Sequence, residues 1–283
     1  MAKRIQRKYI KKRKNKTFVF SSKTLKKITI LGLFLIALVF GYKKREWIAY
    51  YFGFHSMTKN LSEAQRRLED KRIQNIIEKH PTCSLGIDVS QYQGEIDWAN
   101  VEAKEEQFEL HFVIVRATAG RAKCDSQFKS NWEQLTQTPY VQGAYHYYRP
   151  DENSTDQALN FCKHVKLRKG NLPPIVDIEK MPKGQSMEQL KVGLQNWLTR
   201  VEKKYGVKPI IYSGEKYYED FLKEDFPNYK FWIANYNHWK EKIHPDYFMW
   251  QFTEKASLHG IPELVDLNVF NGTQADLKKM CLK

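Results

Sequence analysis

The first 45 residues contain no aspartate or glutamate, and that absence locates the charge of the whole chain. They hold 15 of the 47 lysines and arginines, so the 32 basic residues that follow are balanced by all 32 acidic ones. The formal charge of +15 therefore belongs to an N-terminal arm. A basic nucleic-acid-binding body is excluded by the neutral remainder, and no nucleic-acid partner is expected.

Other shortages narrow the class further. The eight histidines form no HExxH-type cluster, and the four cysteines (Cys83, Cys124, Cys162, Cys281) lack metal-ligand spacing. No metal or cofactor is expected. An even number of cysteines allows three full pairings, and structural disulfides or plain buried thiols both fit. No internal repeat is present, and the basic arm is the one low-complexity segment. Long apolar runs are also missing. The longest, ITILGLFLIALVFGY at 28–42, would make about 22 Å of helix, short of the roughly 20 residues of a full span.

That run follows the basic arm (residues 1–27) and precedes Lys43, Lys44 and Arg45, the pattern of a cytoplasmic N-terminus with the rest of the chain exported. Two readings stay open. In one, 28–42 is an uncleaved single-pass membrane anchor, with WIAYYFGF at 47–54 as an interfacial aromatic belt and the arm against anionic lipid. In the other it is a signal peptide, cleaved near Val39-Phe40-Gly41, and the domain is secreted. Residues 43–82 read as a juxtamembrane stalk or brace, with a helix packed on the domain as the equal alternative. The helix begins at a capping box of Ser62 and Gln65 and stops at Pro81.

From Leu85 onward, short apolar runs appear at 85–89, 112–116, 141–148, 174–179, 209–213, 231–234, 247–251 and 265–269. Helical stretches separate the first six, near 98–109, 126–137, 155–166, 187–205 and 215–223; the last two connections are too short for long helices. Near-continuous apolar strands alternating with helices predict a parallel sheet covered on both faces. Eight strands predict closure into an α/β barrel with fewer than eight helices, over residues 83–283.

The fourth run reads PPIVDIE and ends in two carboxylates, Asp177 and Glu179. Residues i and i+2 of a strand share a face, so the two project together at the strand's C-terminal end, where barrel enzymes place their chemistry. Two sheltered carboxylates cannot both ionise freely, and the one whose pKa rises becomes a candidate general acid. Alone, such a pair is more often two solvated charges at a strand exit. Asp88, ending LGIDV, and Asp266, in VDLNV, occupy equivalent places on the first and last strands, which closure makes neighbours.

In order along the chain, GIDVSQYQGEIDW, FVIVRATAG, DSQFKSNW, GAYHYYRP, LPPIVDIE, PIIYSG, FWIANY, MWQFT and VDLNVF resemble the motifs of glycoside hydrolase family 25, the muramidase lysozymes. The resemblance covers about residues 84–272. It implies an irregular TIM-like barrel of eight strands and about five helices, acting on the β-1,4 bond between N-acetylmuramic acid and N-acetylglucosamine of peptidoglycan. It further implies Glu179 as the acid on the leaving oxygen and Asp177 as its partner, stabilising positive charge or orienting the substrate acetamido group. Asp88 and Asp266 would complete the acidic cluster. By the same motifs, Tyr145, Tyr147, Tyr212, Trp232, Tyr236, Trp250 and Gln251 would line the sugar subsites, although barrel aromatics serve as core nearly as often. Tyr92 and Gln93 would rim the groove or simply face solvent. Arg116 would pair with a cluster acid or form an ordinary structural ion pair. One departure stands out: many relatives carry Glu where this chain has Ala119. The expectation is an exported peptidoglycan hydrolase working with retention through the acetamido group, with an inactive glycan-binding scaffold as the alternative.

Overall fold

A computed structural model of the protein describes residue 26 and residues 29–35, 61–103 and 108–283. Most of the basic arm and of the apolar run lies outside the described residues. The chain divides into two compact units, residues 1–57 and Thr58–Lys283. In the first, residues 29–35 are helical, and no helix among the described residues is long and apolar enough to cross a membrane.

The second unit contains a closed barrel of eight strands: β1 (Leu85–Val89), β2 (Phe112–Ala119), β3 (Val141–Tyr147), β4 (Ile175–Asp177), β5 (Ile210–Gly214), β6 (Lys230–Ala234), β7 (Met249–Ala256) and β8 (Val265–Phe270). Neighbours from β1 through β7 run parallel. The last strand departs from the expected parallel sheet, since β8 is antiparallel to both β7 and β1. The stretch between Ala256 and Val265 is too short for a helical crossover, so the chain turns back beside β7 instead.

Six helices are described in this unit. Helix α1 (Glu63–Glu78) begins at the expected capping box of Ser62 and Gln65. α2 (Phe128–Leu135), α3 (Ser154–His164), α4 (Met187–Tyr205) and α5 (Glu215–Tyr217, continued as a π turn over Tyr218–Leu222) fill crossovers. α6 (Gln274–Met280) closes the chain. α4 shows how sequence sets an element. Ser186 and Gln189 cap its start, Gly206 ends it at φ 74°, and the stripe Leu190, Leu194, Trp197, Leu198 and Val201 is buried.

The helix expected near 98–109 is not formed. Trp98–Asn100 makes a single 3-10 turn and Glu102–Ala103 pairs with Leu258–His259, while 104–107 lie outside the described residues. Strand pairing with the turn before β8 overrides the helical pattern there.

Alternate residues of the strands fill the interior. Phe112, Ile114, Ile175, Ile210, Met249 and Phe270 form one buried cluster with Leu277 and Cys281 of the C-terminal segment. This cluster occupies the end where the parallel strands begin. Gly86 sits opposite Phe112, and a Cβ there would lie 2.4 Å from the Phe112 ring. The four cysteines are all free thiols.

Helix α1, for which a stalk or brace and a helix packed on the domain were equal expectations, lies against β7. Ile73 and Ile76 are buried, Arg72 Nη1 donates to Phe252 O at 2.7 Å, and Thr253 Oγ1 donates to Glu69 Oε1 at 2.5 Å.

Candidate active site

At the other end of the barrel, where the parallel strands finish, the inward positions turn polar. They surround a cavity of about 230 Å³ that includes Asp88, Asp177, Glu179 and Asp266. All four carboxylates singled out from sequence thus meet in one place. Asp266 reaches it because β8 is reversed: its first residues lie beside the last residues of β1, with Asp88 opposite Asp266 in the register.

Asp88 is the hub. Its Oδ2 accepts from Gln251 Nε2 at 2.7 Å and from Asn268 Nδ2 at 2.8 Å. Gln251 Oε1 in turn accepts from the hydroxyls of Tyr212 (2.7 Å) and Tyr236. Asn268 Oδ1 accepts from Trp232 Nε1 at 2.8 Å. Burial lifts Asp88 to about 6, against the pull of these donors and of a hydrogen bond from Asp266. Asp266 is pushed well above the usual carboxylate range, by burial first and then by Asp88. Two buried carboxyls in contact cannot both ionise freely, so the pair retains a proton to higher pH than an ordinary carboxylate would.

Asp177, the last residue of β4, is only 6% exposed, and its Oδ1 has no hydrogen-bond partner. Burial, then the charges of Glu179 and Asp88, push its pKa well above normal. Of the DxE pair, Asp177 is the more deeply buried member. Glu179 follows β4 and stays on the cavity because the chain remains extended: Ile178 N donates to Tyr212 O at 3.0 Å, and Ser213 Oγ to Ile178 O at 2.5 Å. Glu179 is half-buried.

The walls hold most of the expected aromatics. Tyr145, Tyr147, Tyr212, Trp232 and Tyr236 all line the cavity. Burial raises the pKa of Tyr145, Tyr212 and Tyr236 well above the phenol value, so they remain hydroxyl donors. Tyr212 and Trp232 pack edge to face with centroids 4.5 Å apart, and Trp232 is almost fully buried in the wall. Gln251 lines the cavity, but its neighbour Trp250 does not. Trp250 points away from the interior, its Nε1 donating to Asn235 O at 2.9 Å and its ring 6.2 Å from His80.

The rim combines Tyr92 and Arg116. Arg116 Nε donates to Asp125 Oδ2 at 2.7 Å, so its ion pair lies with an acid outside the cluster. Its guanidinium stacks on the Tyr92 ring at 4.7 Å. Gln93 also borders the cavity, but it is occupied in capping the 91–93 turn at Ser90 N (2.8 Å) and in donating to Leu264 O (3.1 Å). At the departure, Ala119 is buried and the following Gly120, at φ 58°, abuts the Glu152 carboxylate. That carboxylate accepts from Arg121 N and from Arg149 Nη1.

Sequence reasoning missed Asn268, Asp125, Ser90 and Glu254. Asn268 lies two residues from Asp266 on β8, so the alternation that paired Asp177 with Glu179 also points to it. Asp125 carries no local signal, because its role depends on tertiary approach to Arg116. Among the described residues no group of three or more His, Cys, Asp or Glu side chains is arranged to hold a metal ion.

Known proteins resemble this chain in sequence and fold. The sequence profile of Glycosyl hydrolases family 25 matches residues 87–261. The uncharacterized protein YegX of Escherichia coli K12 is 36% identical over 199 residues, 68% of this chain and 71% of YegX. Lysozyme M1 of Streptomyces globisporus is 27% identical over 213 residues, 68% of this chain and 69% of that protein. The solved family 25 glycosyl hydrolase of Bacillus anthracis superposes with a TM-score of 0.63 at 29% identity, covering 71% of this chain and 95% of that one. With the profile spanning more than half of the sequence and four carboxylates gathered at the barrel's C-terminal end, the chain belongs to glycosyl hydrolase family 25.

Proposed function

We propose that this glycoside hydrolase cuts the β-1,4 bond between N-acetylmuramic acid and N-acetylglucosamine in peptidoglycan, with retention of configuration. The observation that carries the reading is the meeting of Asp88, Asp177, Glu179 and Asp266 in one tyrosine-walled cavity. The lysozymes among its relatives support the substrate class.

Glu179, the less buried member of the DxE pair, protonates the glycosidic oxygen as the bond to the leaving sugar breaks. The carbonyl oxygen of the 2-acetamido group attacks the anomeric carbon from the other face and forms a cyclic oxazolinium. Asp177 Oδ1, buried and without a protein partner, is suited to receive the acetamido N–H. Asp177 releases its proton to solvent as substrate binds, and the carboxylate then faces the positive charge growing on the ring, which offsets the burial that otherwise keeps it protonated. Water then opens the ring, giving one proton back to Glu179.

We also infer that the domain is exported and stays tethered through residues 28–42, with peptidoglycan outside and anionic lipid against the basic arm. The arm's charge and the apolar run behind it support this. Membrane fractionation followed by intact-mass analysis tests it: a soluble product lacking the first ~40 residues would support the cleaved-signal alternative instead.

For the activity, purified peptidoglycan is digested with the full chain and with Glu179→Gln, and the products are read by mass spectrometry. New reducing N-acetylmuramic acid ends, lost by at least ~10²-fold in rate in the variant, are expected. Glycan binding with no new reducing ends in either sample would make the chain a binding scaffold.

A further inference from the structure

The crossover from β6 to β7, residues 235–248, contains no helix or strand, yet it carries Tyr236 into the catalytic cavity. A segment of that kind has little internal hydrogen bonding and depends on its surroundings for a fixed shape. Trp250 and Asn271 donate to its backbone carbonyls at Asn235, Pro245 and Tyr247, and two further sets of groups hold its side chains and its middle.

The first is one carboxylate. Glu215, the opening residue of α5, accepts from Asn235 Nδ2, from Lys240 Nζ and from the Tyr247 hydroxyl (2.7 Å). These donors come from the start, the middle and the end of the crossover. Asn235 Oδ1 also accepts from Asn237 N at 2.8 Å, so hydrogen bonds bracket Tyr236 on both sides.

The second is α1 and the residues just after it, which lie upstream of the region that matches the family profile. His80 is buried, and its Nε2 accepts from Ile243 N at 3.1 Å while Nδ1 meets Ile76 O at 2.6 Å. That pair of contacts assigns the neutral ring with its proton on Nδ1. Asn75 Nδ2 on α1 and Nζ of its C-cap residue Lys79 both reach the Glu241 carboxylate.

We propose that α1 and His80, acting with Glu215, are positioning elements of the active site. They clamp the 235–248 crossover so that Tyr236 stays on Gln251, and Gln251 stays on Asp88. The inference rests on the muramidase reading for its kinetic consequence but not for the clamp itself. On this view residues 63–80 are a working part of the enzyme rather than a spacer.

The test uses the full chain carrying His80→Ala, Glu215→Ala or the paired surface change Asn75→Ala/Lys79→Ala, with His80→Gln as the conservative variant that keeps an acceptor. Amide hydrogen exchange should accelerate across 235–248 while β2 and β3 stay unchanged. On peptidoglycan, kcat/KM should fall roughly ten-fold in His80→Ala and Glu215→Ala, and His80→Gln should recover most of it. Each loss should shrink sharply when Tyr236 is already Phe, because both changes act through the same hydroxyl. Unchanged exchange in the crossover, or losses that simply multiply with that of Tyr236→Phe, would overturn the clamp. A wild-type chain that releases no reducing ends defeats the proposed activity, and the exchange data still decide the clamp. The surface pair keeps the test open if either buried variant fails to fold.

Discussion

Asp88 and Asp266 stand opposite one another across the antiparallel seam between β1 and β8, in hydrogen-bond contact, and burial raises the pKa of both. Two buried carboxyls in contact bind protons more tightly folded than unfolded, so they act on stability as well as chemistry.

The first prediction concerns that linkage. Asp88 rises from 3.8 to about 6, and Asp266 rises well above its ordinary value. For groups raised in the folded state, the stabilising contribution is complete below the unfolded pKa and disappears as pH climbs through the folded one. The protein should therefore lose thermal stability from about pH 4 through pH 6 and beyond. Asp266→Asn, which removes one titrating group from the pair, should flatten that decline. Melting curves across pH 4–8 for both proteins check it, and parallel slopes would mean that the pair does not couple to folding.

A second prediction follows the donors that hold Asp88. Asn268 links Trp232 Nε1 to the Asp88 carboxylate. Asn268→Ala removes a hydrogen bond that favours the charged form, so the Asp88 pKa should climb from about 6. The acidic limb of the kcat/KM profile should then move to higher pH by about one unit, the equivalent of one lost charge-assisted hydrogen bond. The measurement is a pH–rate profile on peptidoglycan, and a limb that stays put would separate Asp88 from the rate.

The four acids were legible because each carries its own positional rule. Asp177 and Glu179 obey the two-residue alternation of a strand, and Asp88 and Asp266 obey the neighbourhood of first and last strands in a closed barrel. The same alternation argues against pairing Trp250 with Gln251. Adjacent residues on one strand face opposite sides, and the structure turns Trp250 outward. Strand direction was not legible: the last two connections are both too short for long helices, yet β6 and β7 run parallel and β8 alone reverses, which brings Asp266, at its start, to the end where the parallel strands finish. The 98–109 segment misled because WANVEAKEEQF has a helical pattern, while its register with Leu258–His259 is a long-range fact. Asp125 and Glu215 were invisible for that reason as well: each acts on residues brought near by the fold.

At the rim, Tyr92 offers a contrast with the buried walls. It is 68% exposed and lies over the Arg116 guanidinium, while its turn is held independently by Ser90 and Gln93. Tyr92→Ala should leave the melting temperature nearly unchanged. KM for peptidoglycan should rise about five-fold through loss of a stacking face worth about 1 kcal/mol, with kcat little altered. A fall in kcat at constant KM would place Tyr92 at the reacting bond instead of on the rim.

Asp177 should show stability and turnover moving in opposite directions. In the free enzyme its carboxyl is buried, lacks a partner on Oδ1 and sits beside Glu179 and Asp88, all of which oppose ionisation. Asn has nearly the same shape and cannot ionise. Because the raised pKa costs the native protein stability as pH increases, Asp177→Asn should melt higher than the wild type, by a few degrees in a domain of this size. The gap should be wider at pH 8 than at pH 5. On the proposed acetamido-assisted route, turnover should fall by about two orders of magnitude, since the amide cannot supply negative charge to the acetamido group. Calorimetry at the two pH values, paired with release of reducing ends, tests both halves. A variant that melts higher and still turns over normally would remove Asp177 from the chemistry, leaving a buried carboxyl without a catalytic role. Higher stability together with lost turnover is the signature of a charge that the fold tolerates because the reaction uses it.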